Sequence, residues 1–385
     1  MKKRKGNGEG SISYHKASNR YIGQYTKPNG KRGTVYGKTP TEARNKLKKV
    51  LSEIQTHTYT EKNNITLIQL ATSIVEDKFK ANRINENTYR TNIDTLKRIR
   101  MDEIANKPIQ KITTEHMKDY FFRMVNDYEY SNTLIHKNYG LINAAFKRAV
   151  AIGYIRINLL DDKEELAKPK SKIKDKKICA FTLQEQNKLI KAISTYENVT
   201  YKNIILLALY TGMRSGEILA LRIDNIDFTN KVIHIERTLS RNKEAKTIIG
   251  DNTKTKNSSR DIAMTPIVEE ILKECRANFV FNDEKLLFCS NKNGIITNSM
   301  INSAFKRFCK KHNIGKKFDV NFHMLRHTFA TRCIESGMQA KVLSKKLGHK
   351  KISVTLDTYT DVFAKMEDKF DEQFMDYLKT NNIAI

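Results

Sequence analysis

A short stretch near the C-terminal end gathers the side chains best suited to chemistry on a phosphate. It runs Phe322-His323-Met324-Leu325-Arg326-His327-Thr328 and is followed by Leu347-Gly348-His349 and Thr358-Tyr359. Arginine presents a planar fork that matches phosphate oxygens and keeps its charge at any physiological pH. Imidazole moves protons near neutrality. A phenol is a poor nucleophile at its ordinary pKa of about 10, but cations around it favour the phenolate. Together these residues point to attack by a tyrosine on phosphorus. Upstream, Thr211-Gly212-Met213-Arg214-Ser215-Gly216-Glu217 places a further arginine just after a glycine turn, at the predicted start of a helix, where anions are favoured. The polar stretch Thr253-Lys254-Thr255-Lys256-Asn257-Ser258-Ser259-Arg260 lies between strand-like 232–236 and 262–264. A lysine at such a hairpin tip can hand a proton to a leaving oxygen.

The chain that carries these residues is strongly basic. It has 70 Lys+Arg against 42 Asp+Glu in 385 residues, a formal net charge of +28. A field of that sign gathers a polyanion, and nucleic acid is the expected one. With 39% hydrophobic residues the chain can bury real cores, and its length allows about two to three domains. The five cysteines (Cys179, Cys275, Cys289, Cys309, Cys333) are far apart and form no C-x-x-C pair. That argues against a disulfide framework and a zinc site and fits a reducing cytoplasm. No apolar run reaches the ~18 residues of a membrane span, and no apolar segment follows Met1-Lys2-Lys3-Arg4-Lys5, so neither a membrane nor a signal peptide is expected. No Walker lysine loop, H-E-x-x-H or acidic cluster is visible, so no cofactor and no metal are expected.

Three segments must hold these groups in place. Extended runs at Ser11–Tyr14, Tyr21–Tyr25 and Gly33–Tyr36, with a turn at Pro28-Asn29-Gly30, predict a small sheet. Thr39-Pro40-Thr41-Glu42 then caps a helix carrying Ala43, Leu47, Val50 and Ile54 on one face. So basic a sheet-plus-helix unit reads as a DNA-binding module. Residues 65–165 show helical stripes: Leu67, Leu70, Ala71, Ile74, Val75 and Phe79; Tyr89, Ile93, Leu96 and Ile99; Met117, Tyr120, Phe121 and Met124; Leu141, Ile142, Ala145, Phe146, Ala149 and Val150. They predict a four-helix bundle. The lysine-rich stretch 166–178 reads as a linker. Beyond it, Thr182-Leu183-Gln184-Glu185 caps the first helix of a last domain, 179–385, and Ile204–Tyr210 reads as a buried helix. The tail after Asp361 carries more acid than base and an apolar stripe of Phe363, Met366, Phe370, Phe374 and Tyr377. It is expected to dock on protein, on its own domain or on a neighbouring protomer, rather than on DNA. The fold class is multidomain α+β.

With Thr-Gly-Met-Arg-Ser-Gly-Glu (211–217), Lys-Thr-Lys-Asn-Ser-Ser-Arg (254–260), His-Met-Leu-Arg-His-Thr (323–328) and Leu-Gly-His…Leu-Asp-Thr-Tyr (347–359) in this order, the chain resembles the tyrosine recombinases. More closely, it is similar to the integrases of temperate phages and integrative conjugative elements. The resemblance implies an arm-type DNA-binding module over 1–60, a helical core-binding (SAM-like) bundle over 65–165, a basic linker over 166–178, and a mainly α catalytic domain with a small antiparallel sheet and a tail helix over 179–385. It implies that Arg214 and Arg326 grip the scissile phosphate, that Lys254 protonates the leaving 5′ oxygen, and that His323 serves as acid/base. His349 adds a hydrogen bond to the phosphate, and Tyr359 attacks to leave a 3′-phosphotyrosine. Lys254 is preferred over Lys256 because it precedes threonine in the family pattern. His327 drops to a structural role, because that pattern puts the acid/base three positions before the arginine, and Glu217 orients the site. The implied activity is site-specific recombination that integrates a mobile element and, by the same chemistry, excises it. Its implied partners are double-stranded DNA at core and arm sequences, further copies of the chain in a tetramer, an excisionase and a host DNA-bending protein, in a bacterial cytoplasm. A type IB topoisomerase is the rival within the same chemistry, disfavoured by the separate N-terminal module. A non-catalytic DNA-binding regulator is the rival outside it, disfavoured because every site position is filled by a competent residue.

Overall fold

Alternating polar and apolar residues open the chain as a meander. Strands β1 (Ser11–His15), β2 (Arg20–Thr26) and β3 (Arg32–Gly37) pair antiparallel in that order, with Tyr14 opposite Tyr21 and Gly23 opposite Val35. Helix α1 (Pro40–Gln55) begins with proline in its first turn, and Thr39 Oγ1 accepts the Glu42 N–H at its start. It buries Ala43 and Leu47 against the sheet. Gly23 permits this approach, since a Cβ there would stand 2.9 Å from Val35 and 3.2 Å from Leu47. The computed structural model describes residues 11–27, 30–56, 59–60, 63–174, 179–242, 244, 246–251, 259–290, 294–317, 319–381 and 383. Lys254 and Lys256, and the turn residues Pro28 and Asn29, lie outside the described residues.

The chain divides into two units, Met1–Asp175 and Lys176–Ile385. The rest of the first is helical: α2 (Leu67–Lys80), α3 (Glu86–Arg100), α4 (Thr114–Asn126) and α5 (Asn132–Ala151). Thr66, Asn85 and Thr113 cap the first three with side-chain oxygens. The predicted stripes meet in one core, with Leu70, Ile99, Met117, Tyr120, Ile142 and Phe146 fully enclosed. Phe79, Tyr89, Ile93 and Val150 stand at its margin, where the Phe79 and Tyr89 rings stack at 4.3 Å. Two features depart from the sequence reading. Leu166, placed in the linker, is buried with the bundle, and Ser171 donates through Oγ to Tyr130 O and through N–H to Asn132 Oδ1. One leucine with a groove to fill is enough to hold this part of the stretch down. Asp102 also forms a buried centre that no stripe announced, accepting the Arg123 fork at 2.7 and 2.9 Å and the Tyr128 hydroxyl at 3.0 Å.

The second unit surrounds a larger core. Its elements are α6 (Leu183–Ile193), α7 (Val199–Thr211), α8 (Ser215–Leu219), β4 (Ile226–Asp227), β5 (Val232–Ile235), β6 (Arg237–Arg241), β7 (Thr247–Asp251), β8 (Arg260–Ala263), α9 (Pro266–Ala277), α10 (Asn298–Lys311), α11 (His323–Glu335), α12 (Ala340–Leu347) and α13 (Ile352–Thr380). Strands β4, β5 and β8 form an antiparallel sheet, with Ile226 and Ile262 on either side of Ile233. The hairpin of β6 and β7 was not foreseen. Its first strand, Arg-Thr-Leu-Ser-Arg, buries Leu239 alone and so shows no alternation of apolar residues. A smaller core of Ala330, Cys333, Ile334, Leu343, Leu347 and Tyr359 joins α11, α12 and α13. The tail stripe is divided: Phe363 and Met366 pack on this small core, whereas Phe374 and Tyr377 are exposed. Cys275, Cys309 and Cys333 are free, buried thiols. Among the described residues, no helix is long and apolar enough to cross a membrane.

Gly212 decides how closely α7 and α11 approach. It closes α7 in the left-handed region (φ 66), and a Cβ there would stand 2.4 Å from Phe329 Cδ1. Gly212→Ala combines backbone strain with overpacking, each of order 1–3 kcal/mol. Denaturant unfolding of the second unit should therefore show a loss of about 2–4 kcal/mol; a loss under about 0.5 kcal/mol would contradict this packing.

Candidate active site

The ends of α7, α8, α11, α12 and β8 bring arginines to one backbone turn. Arg326, on α11, is 3% exposed. Its Nη1 donates to Gly212 O at 2.7 Å and its Nη2 to Leu347 O at 2.7 Å, so the cation sits at the carboxyl ends of two helices, where the dipole favours it. Arg214 occupies the N-cap position of α8, and its Nη2 donates to Gly348 O at 3.1 Å. Arg260 is the first residue of β8, and its Nε donates to Lys346 O at 2.9 Å. Three successive carbonyls, of Lys346, Leu347 and Gly348, thus accept from three different arginines. Gly348 adopts φ 68, ends α12, and leaves room for the Arg260 guanidinium, which a Cβ would approach to 2.9 Å.

Glu217 supplies the counter-charge. Its carboxylate is 3% exposed; it accepts from Arg260 at 3.0 and 2.9 Å, and from Arg214 through Nη1 at 2.8 Å and the backbone N–H at 2.9 Å. Burial alone would raise its pKa, but the hydrogen bonds and charge of Arg260, with Arg214, outweigh that and bring it down to about 2. The expectation that Glu217 orients Arg214 agrees with these contacts. Its second arginine is not announced by the sequence: Arg260 closes a polar stretch, and nothing in its position signals burial.

The aromatic half of the site centres on Tyr359. The helical ladder of α13 breaks at this residue (φ −119, ψ 23) and turns its ring inward, where it is 3% exposed. The hydroxyl lies 3.0 Å from His327 Nδ1. His323, the first residue of α11, is exposed, and its ring meets that of His327 edge-on at 4.6 Å. In this state the histidine beside the tyrosine is therefore His327, set aside as structural, and not His323. Burial raises the Tyr359 pKa to about 12 against the opposing effect of Arg326. The sequence reading, in which cations favour the phenolate, is reversed here because desolvation wins.

His349 is also arranged differently from expectation. Its Nε2 lies 3.0 Å from Arg326 Nη2, which can only donate, so Nε2 accepts and Nδ1 carries the proton toward Thr355 Oγ1 at 2.8 Å. His349 here supports Arg326 and points no donor outward. Burial, followed by the charges of Arg326, Arg214 and Arg260, pulls its pKa down to about 4; burial, followed by the charges of His323 and Arg326, pulls that of His327 to about 3. Both rings are neutral near pH 7. The structure thus gathers Arg214, Arg326, His323, His349 and Tyr359, adds Glu217, Arg260 and His327, and leaves Lys254 outside its described residues. Among the described residues no group of His, Cys, Asp and Glu is placed to hold a metal ion.

Comparison with known proteins gives consistent matches. Residues 180–366 match the model of the phage integrase family. A tyrosine recombinase XerC-like protein of Caldanaerobacter subterraneus is 27% identical over 363 residues, covering 88% of this chain and 90% of its own. The integrase of Staphylococcus phage L54a is 26% identical over 346 residues, 84% of this chain and 97% of its own. Among solved structures, the Tn1549 transposon integrase in complex with transposon right end DNA has a TM-score of 0.67 at 25% identity, covering 79% of this chain and 99% of that one. A lambda integrase tetramer bound to a Holliday junction, at 18% identity, shares the fold with a TM-score of 0.55 over 91% of this chain and 96% of its own.

The buried carboxylate makes a measurable prediction. Its pKa falls from 4.5 to about 2 on folding, so its stabilisation is complete above the unfolded value and is lost as pH falls through the folded one. That is worth roughly 3 kcal/mol near neutrality. Glu217→Gln should lower the unfolding free energy of the second unit by about this amount at pH 7. The gap from the unmodified chain should narrow as pH approaches about 3. A gap independent of pH would contradict an ionised Glu217.

Proposed function

We propose that this chain, whose residues 180–366 match the phage integrase family, is a site-specific recombinase that cleaves and rejoins DNA, with Tyr359 as its nucleophile. The observation that carries this reading is the meeting of the Arg214 and Arg326 forks at one backbone turn, with the Tyr359 hydroxyl hydrogen-bonded to the next residue after Arg326. In our reading a scissile phosphate takes the place of the Leu347 and Gly348 carbonyls as acceptor for these forks. Two cations on the non-bridging oxygens stabilise the charge that grows in a pentacoordinate transition state. Tyr359 leaves its buried position, where its pKa is too high, and comes under the influence of the occupied clamp.

The phenol oxygen then bonds to phosphorus as the bond to the 5′ oxygen breaks. Lys254 gives the leaving oxygen a proton, and His323, exposed at the start of α11, takes up the phenol proton. His349 donates to the phosphate once the Arg326 hydrogen bond to its Nε2 is released. The 3′-phosphotyrosine conserves the energy of the broken diester, and attack by a 5′ hydroxyl of the second strand reverses each step. No nucleotide need be consumed.

The remaining assignments extend this proposal. Residues 1–60 bind arm-type DNA, 65–165 bind core DNA as a bundle, and 166–178 link them to the catalytic domain at 179–385. The substrate is double-stranded attachment-site DNA, recombined by a tetramer that integrates and excises a mobile element in a bacterial cytoplasm, with an excisionase and a host DNA-bending protein as further partners. The exposed Phe374 and Tyr377 on the tail offer a neighbouring protomer an apolar contact.

Tyr359→Phe should bind attachment-site DNA within about twofold of the unmodified chain, yet form no covalent adduct on a nicked suicide substrate, where the unmodified chain accumulates one. An adduct in that variant, resistant to denaturation, would place the nucleophile elsewhere.

A further inference from the structure

Arg260 stands apart from Arg214 and Arg326. Its side chain is 7% exposed against 40% for Arg214. It spends Nη1 and Nη2 on the two oxygens of Glu217 and Nε on the Lys346 carbonyl. Strand β8, which it opens, follows the stretch carrying Lys254 and pairs Arg260 with Ile235. Three parts of the site therefore converge on one guanidinium: the carboxylate that orients Arg214, the turn that carries His349, and the strand downstream of Lys254.

We propose that Arg260 is a positioning residue for strand cleavage, holding Glu217 and the Lys346–His349 turn in place while Arg214 and Arg326 transfer their donors to the phosphate. The proposal rests on the reading of the site as a phosphate clamp. In the free state the turn is held by arginines at Lys346, Leu347 and Gly348. A phosphate that captures the Arg214 and Arg326 forks takes two of those contacts away. The bond from Arg260 is the one that stays, and with it His349 keeps its place. Arg260 also completes the hydrogen bonding of Glu217, so that Arg214 is aimed by a carboxylate itself fixed from the other side. A lysine cannot reproduce this, since one ammonium lacks the fork that spans both carboxylate oxygens and reaches a carbonyl as well. Gly348 fits the same account, because any side chain there would push against the guanidinium.

The test uses the full-length chain with Arg260→Lys and Arg260→Gln, and Arg326→Lys for comparison. On a nicked suicide substrate at saturating protein, single-turnover adduct formation should slow by roughly 10–100-fold in Arg260→Lys. DNA affinity should stay within about threefold, since Arg260 does not meet the phosphate. In Arg260→Gln, Glu217 keeps Arg214 on α8 and faces Arg326 and His323 on α11, but loses its main stabilising partner. Its protonation then moves up in pH, and the cleavage rate should gain a further acid-side fall, added to the one that protonation of His323 gives the unmodified chain. Combining Glu217→Gln with Arg260→Gln should slow cleavage no further than the worse single change. Without DNA, amide exchange at Gly348 and His349 should quicken by at least about tenfold in Arg260→Lys, with little change in the bundle of the first unit. Normal cleavage by Arg260→Lys, or unchanged exchange at Gly348 and His349, would overturn the proposal. Absence of any adduct from the unmodified chain would instead sink the recombinase reading, while the exchange measurement would still decide whether Arg260 holds the turn.

Discussion

Positive charges do not gather inside a protein without compensation, and the second unit depends on how it compensates Arg214, Arg260 and Arg326. Burial and the neighbouring Arg214 charge pull the Arg326 pKa well below its ordinary range, a sign of how costly the crowding is. One carboxylate, Glu217, and the carbonyls of Gly212, Lys346, Leu347 and Gly348 answer it. The carbonyl acceptors lie at the ends of α7 and α12, so both helices must stop where they do. The glycines at 212 and 348 provide those stops, and both let a side chain from another element come close. The packing of the second unit and the electrostatics of its site are thus a single constraint.

The free state is poised away from reaction. Tyr359 is buried and neutral, the rings of His327 and His349 are neutral, and the outward donors of the clamp are turned onto protein carbonyls. In the proposed mechanism, an arriving phosphate brings the charge that this arrangement lacks. It offers Arg214 and Arg326 a better acceptor than a carbonyl, and its negative charge favours protonated imidazole nearby. Substrate binding and activation of the nucleophile would then be one event rather than two.

Much of this was legible beforehand because it repeats at short range. The helical stripes of the bundle, the strands at 11–15, 20–26 and 32–37, and the Thr39 and Thr182 caps follow from local patterns. The arginine, histidine and tyrosine positions were legible because they sit in compact motifs. The losses share a cause in long-range contact. Arg260 and Glu217 are 43 positions apart, and nothing near Arg260 shows that it will be buried. The hairpin of β6 and β7 has a single apolar pair, Leu239 opposite Ile249, too little apolar alternation to announce it. The protonation states failed similarly, since nearby cations predict a phenolate and only the packing of α11 to α13 reveals the desolvation that opposes it.

The acceptors at 346 to 348 belong to the main chain, and this has a consequence for variation. A carbonyl cannot be deleted by exchanging its side chain, nor does it titrate. Drift at Lys346 or Leu347 can alter packing or surface charge without removing the ligand that a guanidinium needs. Fragility is instead concentrated where no backbone substitute exists, at Gly348 and Glu217. Among related chains, the turn should therefore tolerate diversity at Lys346, less at Leu347, whose side chain also fills the small core, and least at Gly348.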